Sequence, residues 1–166
     1  MNLALGAFLA AQRFAARIAG AFHWLPPLVA RLTVGLIFFQ SGWGKLHNLG
    51  QVTDYFTELG IPAPALQATF ASATEFVCGA LLLAGLATRY AAVPLIVVML
   101  VALCTALWEQ IDSFGSLFGI AEYLYIALLV VIATYGAGPI SLDAILEKSR
   151  TEARALRTDL AASHES

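Results

Sequence analysis

The chain has 166 residues, of which 60% are hydrophobic and only 12% charged, and its mean hydropathy is +0.79. That balance excludes an ordinary soluble domain, and a formal net charge of −2 with no basic cluster excludes a nucleic-acid face. What remains is a small polytopic membrane protein. We read it as all-α: a four-helix transmembrane bundle with an amphipathic N-terminal helix and a charged C-terminal helix.

In chain order, residues 1–24 form the leading unit, with an interfacial helix expected over 3–23. Arg13 and Arg17 lie one turn apart, and Phe14, Ile18 and Phe22 make the adjoining apolar stripe, as suits a helix at headgroup depth. Residues 3–11 are apolar, but no positive n-region precedes them, so a cleaved signal peptide is not expected. His23-Trp24 and Pro26-Pro27 end this helix and open the bundle, residues 25–140.

The first span is placed at about 26–46. At about 100° per residue, Arg31, Gly35, Phe38, Gly42 and Lys45 share one narrow stripe. A charge facing lipid costs several kcal/mol, so this stripe should face other helices. Gly50 to Pro64 is a polar interruption containing Asp54, Tyr55, Phe56 and Glu58, read as a short surface helix over 51–59 and a Pro-set turn. The second span, about 65–86, holds Glu75. The third, about 90–108, is the most uniformly apolar and is expected to be the most exposed to lipid, with Trp108 at the interface.

A short acidic loop over 109–115 leads to the fourth span, about 116–136, with Glu122, Tyr123 and Tyr125. Gly136-Ala-Gly138-Pro139 stops it, and Ser141 is a good N-cap for a charged helix reaching roughly Arg157. Residues 141–166 thus form a cytoplasmic helix and tail, with disorder expected over Ala162–Ser166. Four spans put both termini on one side, together with Arg13, Arg17, Arg89, Lys148, Arg150, Arg154 and Arg157, against Lys45 alone on the other. The positive-inside rule makes that side, and with it both termini, cytoplasmic.

Arg31, Lys45, Glu75 and Glu122 are the ionisable groups inside the bilayer. Helical rise places Arg31 roughly 8 Å from the cytoplasmic edge, Glu75 roughly 15 Å from either edge and Glu122 roughly 9 Å from the outer edge. The preferred pairs are therefore Arg31–Glu75 and Lys45–Glu122, with an offset of one helical turn sufficient to exchange the partners. Ser72, Glu75 and Gly79 share a face of span two, and Gly115 and Gly119 precede Glu122, so glycines should let helices meet beside the charges. Such pairs either fix helix register alone or line a polar cavity open to the outer leaflet. The cost of four buried ionisable groups favours the cavity.

Other groups carry less. Cys78 and Cys104 sit in apolar runs without a CxxC spacing and read as packing thiols. His47 reads as a solvated interface residue, and no metal site is expected. His23 and His47 flank one span roughly 35 Å apart if helical, which argues against a bis-histidine haem. Trp43, Tyr123 and Tyr125 suit an aromatic belt by position, although either tyrosine could instead stack on a ring-shaped ligand.

Arg31-Leu-Thr-Val-Gly35-Leu-Ile-Phe, Gly42-Trp-Gly-Lys45-Leu and Gly60-Ile-Pro-Ala-Pro, followed by Glu75-Phe-Val-Cys-Gly79, Leu82, Gly85, Thr88-Arg89 and Gly136-Ala-Gly-Pro-Ile-Ser-Leu-Asp143, resemble the DoxX family over about residues 28–143. The resemblance implies a four-helix bacterial inner-membrane protein linked to quinone chemistry, redox stress or metal handling. A redox-linked subunit would bind quinone or quinol between spans one, two and four. Glu75 and Glu122 would exchange protons, Arg31 and Lys45 would hold them or a quinone carbonyl, and Trp43, Tyr123 and Tyr125 would flank the ring. No ligand set for haem or iron–sulfur is evident, so electrons would come from a soluble or membrane redox partner. If the chain is an enzyme, it is a quinone-linked oxidoreductase subunit, and it could be homo-oligomeric. The alternatives are a non-catalytic membrane anchor or assembly partner in a redox or metal-stress system, and passage of a small solute or metal ion.

Overall fold

The computed structural model describes residues 24–108, 111 and 113–164, and in the N-terminal region residues 9, 12–14, 16, 17 and 20–22. Most of the interfacial helix expected over 3–23, with His23, and Glu109 and Asp112 of the acidic loop lie outside the described residues. The described residues are helical, with no strand among them. Helix α1 spans Leu25–His47, α2 Leu49–Glu58, α3 Pro64–Ala84 and α4 Thr88–Thr105; α5 (Phe114–Gly119), α6 (Ala121–Tyr135) and α7 (Leu142–His164) follow. Prolines occupy the first turns of α1 and α3, where the missing N–H has no intrahelical partner to lose. Among the described residues three helices, α1, α3 and α4, are long and apolar enough to cross a membrane.

The expected fourth span is broken. Ile120 is extended (φ −83°, ψ 127°) between α5 and α6, and α6 has 15 residues, roughly 22 Å of helix against a hydrocarbon core of about 30 Å. Ser113 and Ser116 form a reciprocal capping box that starts α5 as a separate helix, and Gly115 and Gly119 weaken its continuation. At the far end, residues 162–164 continue α7 where disorder is expected.

Helices α1 and α3 make the tightest seam. The buried residues of α1 are Arg31, Val34, Gly35, Phe38 and Gly42, the stripe that its periodicity marks. A β-carbon on Gly79 would lie 2.5 Å from the Phe39 nitrogen, and one on Gly42 would run into the backbone of Phe76. The two helices thus meet backbone to backbone, which only glycine permits. Gly115 and Gly119 play no such part: a β-carbon on Gly119 would meet nothing within 4 Å.

Helix α4 is not the lipid-exposed outlier its uniform apolarity suggests. Thr88, Ala91, Ala92, Leu95, Met99 and Leu103 are buried along it, in a core shared with Val34, Phe38, Leu82, Leu129 and Ile132. The buried share of its apolar window is 33%, equal to that of α3 and above the 28% of α1. A run without polar residues hides its packing face, because small alanines mark that face instead.

Candidate functional site

The site is built where the α1–α3 seam ends. Gly42 abuts the peptide joining Glu75 and Phe76, so Glu75 lies level with Gly42 and about one turn short of Lys45. A helical side chain leans toward its own N-terminus, which swings the Lys45 amine back onto Glu75. Lys45 Nζ donates to Glu75 Oε1 at 2.6 Å and to Oε2 at 2.8 Å. Ser41, one turn before Lys45 on the same face, donates from Oγ to Oε2 at 2.9 Å. Glu75 is 1% exposed, whereas the Lys45 side chain is 39% exposed.

Both expected pairs are therefore corrected. Lys45 binds Glu75 in place of Glu122, and Arg31 binds neither glutamate. The Arg31 guanidinium donates from Nη1 to the Ala137 carbonyl at 3.0 Å and from Nη2 to the Ile140 carbonyl at 2.9 Å. Depth arithmetic treats the helices as level and ignores side-chain lean, and it cannot see a loop 106 residues away.

Arg31 also lies against Gly85, the left-handed cap of α3 at φ +68°. Asp143 completes this end of the bundle. Its carboxylate accepts from the backbone nitrogens of Ala87 at 2.7 Å and Thr88 at 3.1 Å, capping α4, while its own N–H donates to the Gly85 carbonyl at 2.9 Å. Partial burial pushes the Asp143 carboxyl up, but the backbone hydrogen bonds from Thr88 and Ala87 and the nearby Arg31 charge hold it below the ordinary carboxylate value. Ser141 caps α7 by accepting from the Ala144 nitrogen at 3.1 Å.

A groove of about 830 Å³ opens beside Glu75 and Lys45. It lies between α3 and α4, spans two and three, and not between spans one, two and four; the glycine seam leaves no space between α1 and α3. Phe70, Thr74, Val97 and Val101 of α3 and α4 line it together with Tyr55 and Phe56 of α2, and Glu122 of α6 also contributes to the lining. Glu122 has no ion-pair partner among the described residues; it sits in the first turn of α6, where the helix dipole favours a negative charge.

The aromatic residues expected around a ring do not line this groove. Tyr125 packs edge-on against Phe38 at 5.9 Å, Tyr123 against Phe118 at 5.0 Å, and Trp43 lies over His47 at 4.2 Å and beside Phe76 at 5.6 Å. Residues missed in the sequence are Ser41, Asp143 and the groove wall of α4. Ser41 was open to detection from its i, i+4 spacing to Lys45; Asp143 was not, because its partners are 55 and 56 residues distant. No group of three or more His, Cys, Asp or Glu able to hold a metal occurs among the described residues.

Chemically, the site offers a buried carboxylate fixed by three donated hydrogen bonds, and an amine with three N–H donors of which two point at Glu75. Lys45 also lines the groove, and no third acceptor for its amine occurs among the described residues. The family model described as DoxX matches residues 27–108, a stretch containing Arg31, Ser41, Lys45 and Glu75. The Mycobacterium tuberculosis protein named "Uncharacterized membrane protein Rv3486" is 35% identical over 139 residues, covering 76% of this chain and 85% of that protein. The Bacillus subtilis protein named "Putative oxidoreductase CatD" is 29% identical over 125 residues, covering 74% of this chain and 88% of that protein. No solved structure matches the chain.

Proposed function

The chain belongs to the DoxX family of membrane proteins, and on that footing we propose that it is a redox-linked subunit binding quinone or quinol in the groove beside Glu75. The observation carrying this reading is the buried Glu75 carboxylate, held by Lys45 and Ser41, in the wall of a mainly apolar groove. That combination suits a ring with polar oxygens on an apolar body. Lys45 donates its spare N–H to a ring oxygen. Glu75 exchanges a proton with the same oxygen as the ring changes oxidation state, and Glu122 passes protons between the groove edge and water. A redox partner supplies or removes the electrons. The name borne by the Bacillus subtilis relative supports the reaction class.

Arg31, Trp43, Tyr123 and Tyr125 drop out of the ligand set, since each is engaged elsewhere. We place the protein in the bacterial inner membrane with α5 and α6 together completing a fourth crossing. Both termini are then cytoplasmic and α2 lies outside. The test is to purify the protein from its own membranes, extract it with organic solvent and record the ultraviolet spectrum. Quinone is expected with the wild type and depleted with Lys45→Met. Absence of quinone from the wild type, with no uptake on addition, overturns the reading.

A second reading, a non-catalytic assembly partner, is favoured by Ile145 and Leu146, which stand exposed on α7. It requires that Glu75→Gln leave cellular function intact while polar substitutions at Ile145 and Leu146 abolish it.

A further inference from the structure

The groove runs much further than a ring needs. Along α4 its lining extends from Val93 to Thr105, twelve residue steps or roughly 18 Å of helix. Its charged groups, Lys45, Glu75 and Glu122, come from α1, α3 and α6, whereas the α4 wall is apolar from Val93 to Ala102. Such a shape fits an elongated amphiphile with one polar head.

The exposure of the lining residues shows where the groove is open. Phe70 is 73% exposed, and Val93, Val97 and Val101 are each about half exposed while also lining the groove. They sit on two apolar helices of membrane-crossing length, so this mouth faces hydrocarbon. At the other limit the lining is half-buried at Val52, Phe56, Leu59 and Ile61 but exposed at Gln51, Tyr55 and Gln67, so the end that approaches water is polar-rimmed and the apolar opening is the one between α3 and α4.

We infer that the ligand enters sideways from the bilayer between α3 and α4, and that it is a ring carrying a long apolar tail, which stays in the mouth beside Phe70, Val93, Val97 and Val101. This inference rests on the quinone reading and adds the route and the tail. A ligand dissolved in lipid brings its tail at no cost in water exposure, while the Lys45–Glu75 pair selects the polar head.

The test uses the full chain in lipid nanodiscs with a polyprenyl quinone bearing a photoreactive diazirine at the tail end, and maps the labelled residues by mass spectrometry. Label is expected on the mouth residues of α3 and α4, and it should disappear under excess unlabelled polyprenyl quinone. Val97→Trp, which fills the mouth, should lower displaceable labelling by about tenfold, with an unchanged thermal midpoint reporting an intact fold. Displaceable label on α2 or on residues 59–63 overturns sideways entry and leaves the quinone reading standing. Label that excess quinone does not displace overturns both.

Discussion

Glu75 is more deeply buried than Lys45, and that asymmetry sets what each substitution does. Removing Lys45 strands a carboxylate with Ser41 as its remaining donor, whereas Glu75→Gln keeps a polar group that Ser41 can still meet. Lys45→Met should therefore lower stability by about 3 kcal/mol, and adding Glu75→Gln to it should recover much of the loss. Denaturation of the two single variants and the double variant in detergent checks this as a double-mutant cycle. The second residue-scale expectation concerns Asp143. Its folded carboxyl is held below the ordinary carboxylate value. Its contribution is thus complete above that ordinary value and is lost as the pH falls through the lower, folded one. Asp143→Asn should lower the thermal midpoint at neutral pH and flatten its decline below about pH 4. The need to bury Arg31 and Glu75 was legible in the sequence from cost alone. Their partners were not: a one-turn offset at Gly42 and the lysine's lean decide Lys45–Glu75, and Arg31 meets a loop 106 residues away.

At the scale of the element, the glycines divide into two kinds that look alike in the sequence. Gly79 holds the α1–α3 seam closed, with the Phe38 and Phe39 backbone within about 3 Å of any added β-carbon. Gly119 faces open space. Gly79→Ala should destabilise by about 1–3 kcal/mol by forcing the seam apart, while Gly119→Ala should be neutral or slightly stabilising. Thermal unfolding of both variants distinguishes the two roles. The three long apolar runs announce α1, α3 and α4, because a bilayer demands length and little else. The interruption at Ile120 is not announced: its flanking residues remain apolar, and its cause is a local competition between the Ser113 cap and weak helix formers. The groove was equally hidden, since hydrophobic periodicity fades where an entire helix is apolar.

For the whole molecule, the distribution of Lys and Arg makes a prediction about sidedness. In a variant with Cys104→Ser, a cysteine placed at Glu58 should react with a membrane-impermeant thiol reagent added to the periplasmic side, and one placed at Arg150 should not; Cys78 is buried. The opposite pattern would invert the proposed topology. The architecture also ties its beginning to its end. Arg31 stands in the first long helix, but its carbonyl acceptors are Ala137 and Ile140, and the cap of α4 is Asp143. A chain ending after Gly136 should therefore be degraded or unstable, while one ending after Glu147 should accumulate, as read by membrane abundance. During synthesis, then, the guanidinium enters the bilayer more than a hundred residues before its partners leave the ribosome. Until they arrive it must be sheltered by water, lipid phosphate or the insertion machinery, and the first hairpin cannot reach its final form. Completion of this protein is a late event, triggered by the emergence of one short turn.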